Sequence, residues 1–336
     1  MSAPADNLLL RFRRWVIAAI AFGAAIYLIG SIWAGFDEVG AALGQFQWIY
    51  ALPIIGLTLL NYGLRFLKWH GFLNLLGVKM PFWENAANFT AGLAMVISPG
   101  KAGELLKPYV VRERTGTPMA HTIPALLAER ITDAIAMVIL AGISVSTYFA
   151  DQVWVLVLIG GLIAAGLVVV GNHRLTELLL SIGARLPLVS RVVPKLREMV
   201  SATRTCLAPG PLLFAVTVSV LAWFAECVGF WLVFAGLDVE ATLDFSVFLY
   251  AFATLAGGAM PGGIGVSEGA LAGGAETLLH IDKGLAVAAS LLIRIATLWL
   301  GVGLGALALF RVSSLLGGNI QLGAKGSAAE PPSAGR

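Results

Sequence analysis

The chain has 336 residues, of which 58% are hydrophobic and only 12% charged, with a formal net charge of +3 and a mean hydropathy of +0.87. A soluble domain carries about a quarter of its residues as charges, so this composition excludes one and fits an all-α, polytopic integral membrane protein. Nothing in the sequence reads as a nucleic-acid surface, and the two cysteines do not suggest a disulfide framework: Cys206 lies in a basic segment and Cys227 within an apolar run, so both are expected to be free thiols.

Residues 1–14 form a polar tail ending in the cluster Arg11, Arg13 and Arg14. The apolar run after it is long and has no clear cleavage site, so it reads as a retained first span, Trp15 to Gly35. Trp48 to Leu67 is a second span, with Arg65, Lys68 and His70 at its far end, where Arg65 is expected to snorkel to the interface. Residues 82–111 then break the pattern. An apolar arm, Phe82 to Ile97, runs into Ser98-Pro99-Gly100-Lys101-Ala102-Gly103-Glu104, and a second arm continues to Val111. Proline and glycine stop a helix at that point, and each arm is too short to span, which predicts a re-entrant hairpin. Met119 to Phe149 and Val153 to Gly171 are the next two spans.

Residues 172–208 carry Arg174, Arg185, Arg191, Lys195, Arg197 and Arg204 between leucines and valines. This texture reads either as an amphipathic interfacial connector between two halves or as an ordinary basic cytoplasmic loop. Pro211 to Ala235 spans again. A second hairpin, 245–280, turns at Met260-Pro261-Gly262-Gly263-Ile264-Gly265-Val266-Ser267-Glu268, and Leu285 to Phe310 is the last span. Residues 313–336 are rich in Gly, Ala, Ser and Pro from Gly317 onward and are expected to be a disordered tail.

With the N-terminus inside, the segments between spans sort by charge. The inner ones hold nearly all the lysines and arginines, whereas the outer ones hold Lys283 together with Asp37, Glu38, Asp151, Asp238, Glu240, Asp244 and Asp282. The positive-inside rule then predicts six spans, both termini in the cytoplasm of a bacterial inner membrane, and hairpins that enter from opposite faces. The halves 15–171 and 209–312 also share an order of short motifs. Each has P-G-x-x-G followed by a glutamate, and an arginine follows the proline by 31 positions at Arg130 and by 33 at Arg294. Two such halves of opposite orientation make an inverted-topology repeat, an architecture of secondary transporters with a site at mid-membrane.

The charges inside the apolar runs are the candidate site. Glu129 and Arg130 lie about ten residues, or roughly 15 Å, into their span, and Asp133 shares their side of the helix. They read either as a self-neutralising knot that locks packing or as a headgroup or ion site. Arg294 needs a carboxylate partner, for which Glu268 and Glu226 both qualify. Lys101 and Lys107 suit a phosphate as point charges, and Glu104 suits either the site or a helix N-terminus. The substrate-binding set is therefore Lys101, Glu104, Lys107, Glu129, Arg130, Asp133, Glu226, Glu268 and Arg294, with Pro99, Gly100, Gly103, Pro261, Gly262 and Gly265 at the hairpin tips. Both signs are nearly balanced, which suits a headgroup carrying a phosphate and a cationic or polar cap. No metal-ligand spacing, nucleophile elbow or cofactor loop is present, so neither metal, cofactor nor enzymatic activity is expected.

The run Ser98–Lys107, then Glu129-Arg130-Ile131-Thr132-Asp133, then Pro261–Gly269 resembles the flippase-like integral membrane family, also described as the transmembrane region of lysylphosphatidylglycerol synthase. The resemblance covers about residues 10–315. It implies lipid translocation: the best-known members move an aminoacylated phosphatidylglycerol between leaflets, and others accompany glycolipid or hopanoid pathways. The bifunctional members carry a soluble aminoacyl-transferase domain after the last span. This sequence shows none, so synthase activity is not expected of it. The expected partners are membrane lipids, with a lipid-modifying enzyme as a further candidate. The alternatives are an ion- or proton-coupled transporter of a small solute, a membrane-bound transferase acting on lipid-linked sugar, and a non-catalytic member of a lipid-synthesis complex.

Overall fold

A computed structural model describes residues 21–98, 103–148, 150, 153–185 and 193–326, and every regular element among them is helical. Helix α1 (Ala21–Ala34) meets α2 (Phe36–Gln45) at Gly35 with a bend of 100°. Asp37 and Glu38 occupy the first turn of α2, where carboxylates favour the helix dipole. A short 3₁₀ turn leads into α3 (Ala51–Leu75).

The first helix–break–helix unit is α4 (Phe82–Ala94), a 3₁₀ turn at Met95–Ile97, and α5 (Leu106–Thr115). Helix α6 (Met119–Gly142) follows, then α7 (Val153–Gly171). Asn172 separates α7 from α8 (His173–Ala184): its carboxamide oxygen accepts from the amides of Arg174 and Leu175, as an N-cap does. Helix α9 is Val193–Cys206 and α10 is Pro209–Gly236. The second helix–break–helix unit begins at α11 (Leu243–Ala256), whose N-cap Thr242 accepts from the Phe245 amide. It turns through Gly257–Ala259 and Pro261–Gly263 and leaves by α12 (Val266–Leu279). Helix α13 (Lys283–Arg294), a π-helical turn at Ile295–Trp299 and α14 (Leu300–Gly326) complete the described residues. Helix α14 thus carries regular structure to Gly326 through the start of the stretch expected to be a tail.

Among the described residues four helices are long and apolar enough to cross a bilayer, Trp48–Leu75, Val153–Gly171, Pro209–Gly236 and Lys283–Val312, and the bent pair α1–α2 makes a fifth if it is one span. Their outer surfaces are oily. Leu52, Leu162, Leu213 and Phe310 are all exposed, the reverse of a soluble protein's surface and the expected one where lipid is the solvent. The protein is an all-α, multi-pass membrane protein.

The halves are interlocked rather than stacked. Arm α4 of the first unit packs on α14 from the second half, and arm α11 of the second unit packs on α6 from the first. Helix α3 packs along α10. In lipid, helices associate through close packing rather than hydrophobic expulsion, and Gly305 shows how close. A methyl group there would lie 2.4 Å from the Ala94 amide nitrogen and 2.8 Å from the Thr90 carbonyl oxygen.

Two apolar cores result. One joins Phe245, Phe248 and Leu271 of the second unit to Met137 and Leu140 of α6 and Phe230 of α10. The other joins Phe89, Leu106 and Val110 of the first unit to Leu126 of α6, Trp69 of α3 and Val312 of α14. Cys227 belongs to the first core and Cys206 to the second, and both thiols are free. Along α6, Leu126 and Met137 bracket Glu129, Arg130 and Asp133, so the charged cluster lies between the two cores.

The connector is two helices, α8 and α9. Leu175, Leu178, Leu179 and Ile182 are spaced along one side of α8 and exposed, while Arg197 of α9 pairs with Glu177 of α8 at 2.8 Å. That hydrogen-bonded guanidinium holds the Glu177 carboxyl below the usual carboxylate range. Arg191 lies outside the described residues.

Candidate functional site

The two breaks meet. The turn at Met95–Ile97 contacts the turn at Pro261–Gly263, and Ile97, Ile264 and Val302 form a small apolar cluster there. Gly262, Gly263 and Gly265 have φ of 60°, 71° and 88°, positive values that side chains with a Cβ disfavour. In the first unit the Ser98 hydroxyl accepts from the Gly103 amide at 2.8 Å and donates to the Met95 carbonyl at 2.6 Å. In the second, the Ser267 hydroxyl donates to the Ala253 carbonyl. Pro99, Gly100 and Lys101 lie outside the described residues.

Behind each break stands an arginine facing a glutamate of its own half. In the second half, Arg294 donates from Nε to Glu268 at 2.7 Å and from Nη2 to the Gly262 carbonyl. The other Glu268 oxygen takes the Gly265 amide at 2.7 Å. Of the two carboxylates suited to Arg294, Glu268 is therefore its partner. In the first half, Arg130 reaches Glu104 at only 3.7 Å, and holds Glu129 at 2.5 Å and Asp133 at 3.4 Å.

Around Glu129 and Asp133 the charges form one connected network. Lys107 Nζ binds Glu129 at 2.5 Å, and its ammonium lies 4.5 Å from the Trp69 ring centre. Lys68 Nζ binds Asp133 at 2.6 Å and also donates to Ser219 and Thr132. Arg65 stands 3.6 Å from Glu129 and 3.8 Å from Asp133, with its guanidinium over the Trp223 ring. Glu129 and Lys68 are at most 1% exposed. A charge buried to that degree persists only when paired and hydrogen-bonded.

Arg65 and Lys68 are the residues that sequence reasoning missed. Arg65 was expected to snorkel out of a span ending at Leu67. Instead α3 runs on to Leu75, and Arg65 turns inward with only 7% of its surface exposed. The signal was a polar stripe: Thr58, Asn61, Arg65 and Lys68 are all buried and recur every three or four residues.

Between the network and the second unit lies a cavity of roughly 440 Å³. Its wall includes Arg65 from α3, Arg130 and Asp133 from α6, Glu226 from α10, Tyr250 from α11 and Arg294 from α13. Several buried atoms of this wall have no hydrogen-bond partner: Arg65 Nε, Arg130 Nε, Asp133 Oδ2 and Trp223 Nε1. Buried donors left unpaired are costly, and three of these four are donors suited to an anion. Glu104, Lys107 and Glu129 stand behind the wall rather than in it, and Glu268 reaches it through Arg294. A π-helical turn directly follows Arg294, and its Thr297 carbonyl accepts from the Tyr62 hydroxyl. Such turns recur at functional sites.

The family model described as the lysylphosphatidylglycerol synthase transmembrane region matches residues 16–305. The chain belongs to that family. It is also 27% identical to a protein of Methanothermobacter thermautotrophicus described as a UPF0104 membrane protein, over 326 residues covering 88% of this chain and 92% of that protein. The residues of the lysylphosphatidylglycerol synthase transmembrane family match thus include both breaks, the charged network and the cavity wall.

Proposed function

We propose that this protein moves the polar headgroup of a phospholipid or glycophospholipid between membrane leaflets, and that it is a transporter rather than an enzyme. The observation that carries the reading is the convergence of Arg65, Arg130 and Arg294, from three helices and both halves, on one cavity. Guanidinium groups suit phosphate because their planar donors match its oxygens. The acyl chains stay in lipid while the headgroup crosses. In this reading α4–α5 and α11–α12 are re-entrant hairpins entering from opposite faces, and six spans complete an inverted repeat. Support comes from the swapped packing of α4 on α14 and α11 on α6, and from the like order of breaks, glutamates and arginines. Helix α6 counts as a span despite its three charges, because Glu129 and Asp133 are paired inside the protein. Both termini are then cytoplasmic, in a bacterial inner membrane, and the exposed apolar side of α8 rests in the inner interface.

The test is leaflet transfer of a head-labelled fluorescent phospholipid in proteoliposomes. Arg130→Ala is expected to slow transfer roughly ten- to a hundredfold, the worth of one charged hydrogen bond to substrate. The protein stays folded, because Lys107, Arg65 and Lys68 still hold Glu129 and Asp133. Transfer at the unmodified rate in the folded variant would sink the assignment. The volume of the cavity favours one second reading, a coupled transporter of a small anion. That reading expects flux of a soluble phosphate compound and no lipid transfer.

A further inference from the structure

Five carboxylates are buried in the interior described above, and four of them have a cation. Glu104 faces Arg130, Glu129 faces Lys107, Asp133 faces Lys68, and Glu268 faces Arg294. Glu226 does not. Among the described residues no lysine or arginine nitrogen comes within 4.0 Å of its carboxyl. Yet it is only 4% exposed and lines the cavity. Its one hydrogen bond comes from the Tyr250 hydroxyl, at 2.6 Å to Oε2. An ionised carboxylate with one neutral donor is poorly compensated away from water, so this group gains most from taking up a proton.

We propose that Glu226 is a proton-exchange site that couples anion occupancy of the cavity to protonation. The inference rests on the headgroup-transport reading and adds its energy coupling. The groups that face Glu226 are Tyr62 and Arg65 of α3, Asp133 of α6, Tyr250 of α11 and Arg294 of α13, with Arg130 on the same wall. When the cavity holds no anion, the positive field of the arginines favours the ionised carboxylate. An anion bound to those arginines cancels that field, and Glu226 takes a proton from cavity water. When the anion leaves, the proton leaves too. One proton therefore travels with each monoanion. A cationic cap is the less fitting occupant, because an ammonium at Glu226 would sit among three arginines, whereas a proton needs no room. Tyr250 belongs to the arm of the second unit, so the protonation state of Glu226 is felt directly by that arm.

Binding and protonation are reciprocal, so each must strengthen the other. Dihexanoyl-phosphatidylglycerol is the probe, because its phosphodiester keeps one charge across the range tested. Its affinity for the purified protein in detergent is measured from pH 5 to pH 9. Between the proton affinities of the free and occupied forms, the affinity of the unmodified protein is expected to fall about tenfold per pH unit. In Glu226→Gln the profile is flat. Tyr250→Phe removes a donor that favours the ionised form, so its profile keeps the slope and moves to higher pH; this variant decides the matter if Glu226→Gln does not fold. Titration calorimetry in two buffers of different ionisation heat counts the protons taken up, with about one expected for the unmodified protein. Clear binding with a flat profile overturns proton coupling and leaves headgroup transport standing. A slope that survives in Glu226→Gln, or an unmoved Tyr250→Phe profile, also overturns it. So does a preference for dihexanoyl-phosphatidylethanolamine that Glu226→Gln abolishes, which would give the carboxylate to an ammonium. No binding of either probe at any pH removes the transport reading itself, and this inference with it.

Discussion

The two halves each set an arginine against a glutamate beside a break in their helices, and then treat the pair differently. Arg294 is committed. It turns its Nε–Nη2 edge to Glu268 and the Gly262 carbonyl, and Glu268 in turn secures the Gly265 amide, so helix, glutamate and break form one closed unit. Arg130 is shared. It stands 3.7 Å from Glu104 while holding Glu129 at 2.5 Å, and its side chain is 30% exposed against 11% for Arg294. The first half adds three more cations, Arg65, Lys68 and Lys107, which hold Glu129 and Asp133 without Arg130. A repeated motif can thus fasten a turn in one copy and leave its arginine available in the other.

Substitutions that unbalance this pairing break the comparison most severely at its densest point. Glu129→Ala leaves Lys107 fully enclosed with no carboxylate, and thermal unfolding in detergent should report a loss of about 5 kcal/mol, the upper end for breaking a buried pair. Glu268→Ala opens the closed unit of the second half and should cost about 3 kcal/mol. It should also expose the 257–265 turn to proteolysis. Gly305→Ala probes the contact between halves rather than the charges, and overpacking against Ala94 should cost about 2 kcal/mol. Glu104→Ala is the sharpest control. Its arginine keeps Glu129 and Asp133, so stability should drop by only about 1 kcal/mol while leaflet transfer slows. Equal stability losses for Glu104→Ala and Glu268→Ala would erase the distinction between a shared and a committed arginine.

The breaks were legible in the sequence because proline and glycine act locally. Their backbone limits do not depend on what packs nearby: in the second unit Gly262, Gly263 and Gly265 take positive φ and α12 begins at Val266, while Pro99 and Gly100 lie outside the described residues. Glu129 and Asp133 were legible for a similar reason, since their helical spacing fixes a common side. The depth of Arg65 was not. It depended on where α3 ends: Lys68 and His70 past Leu67 read as an exit from the membrane, whereas Arg65 and Lys68 continue an inward-facing stripe begun by Thr58 and Asn61. The partner of Arg294 stayed open between Glu226 and Glu268 because that choice rests on how α10, α12 and α13 come together, which no local pattern encodes. The isolation of Glu226 was hidden likewise, as it follows from four other pairings being satisfied.

The exchange of packing partners between halves also governs the order in which the protein can be made. Arm α4 leaves the ribosome well before α14, the helix that covers it. The Thr90 to Ala94 face therefore stays uncovered until the stretch around Gly305 has been made. Removing α14 should therefore uncover that face and abolish the close seat of Gly305 against Thr90 and Ala94.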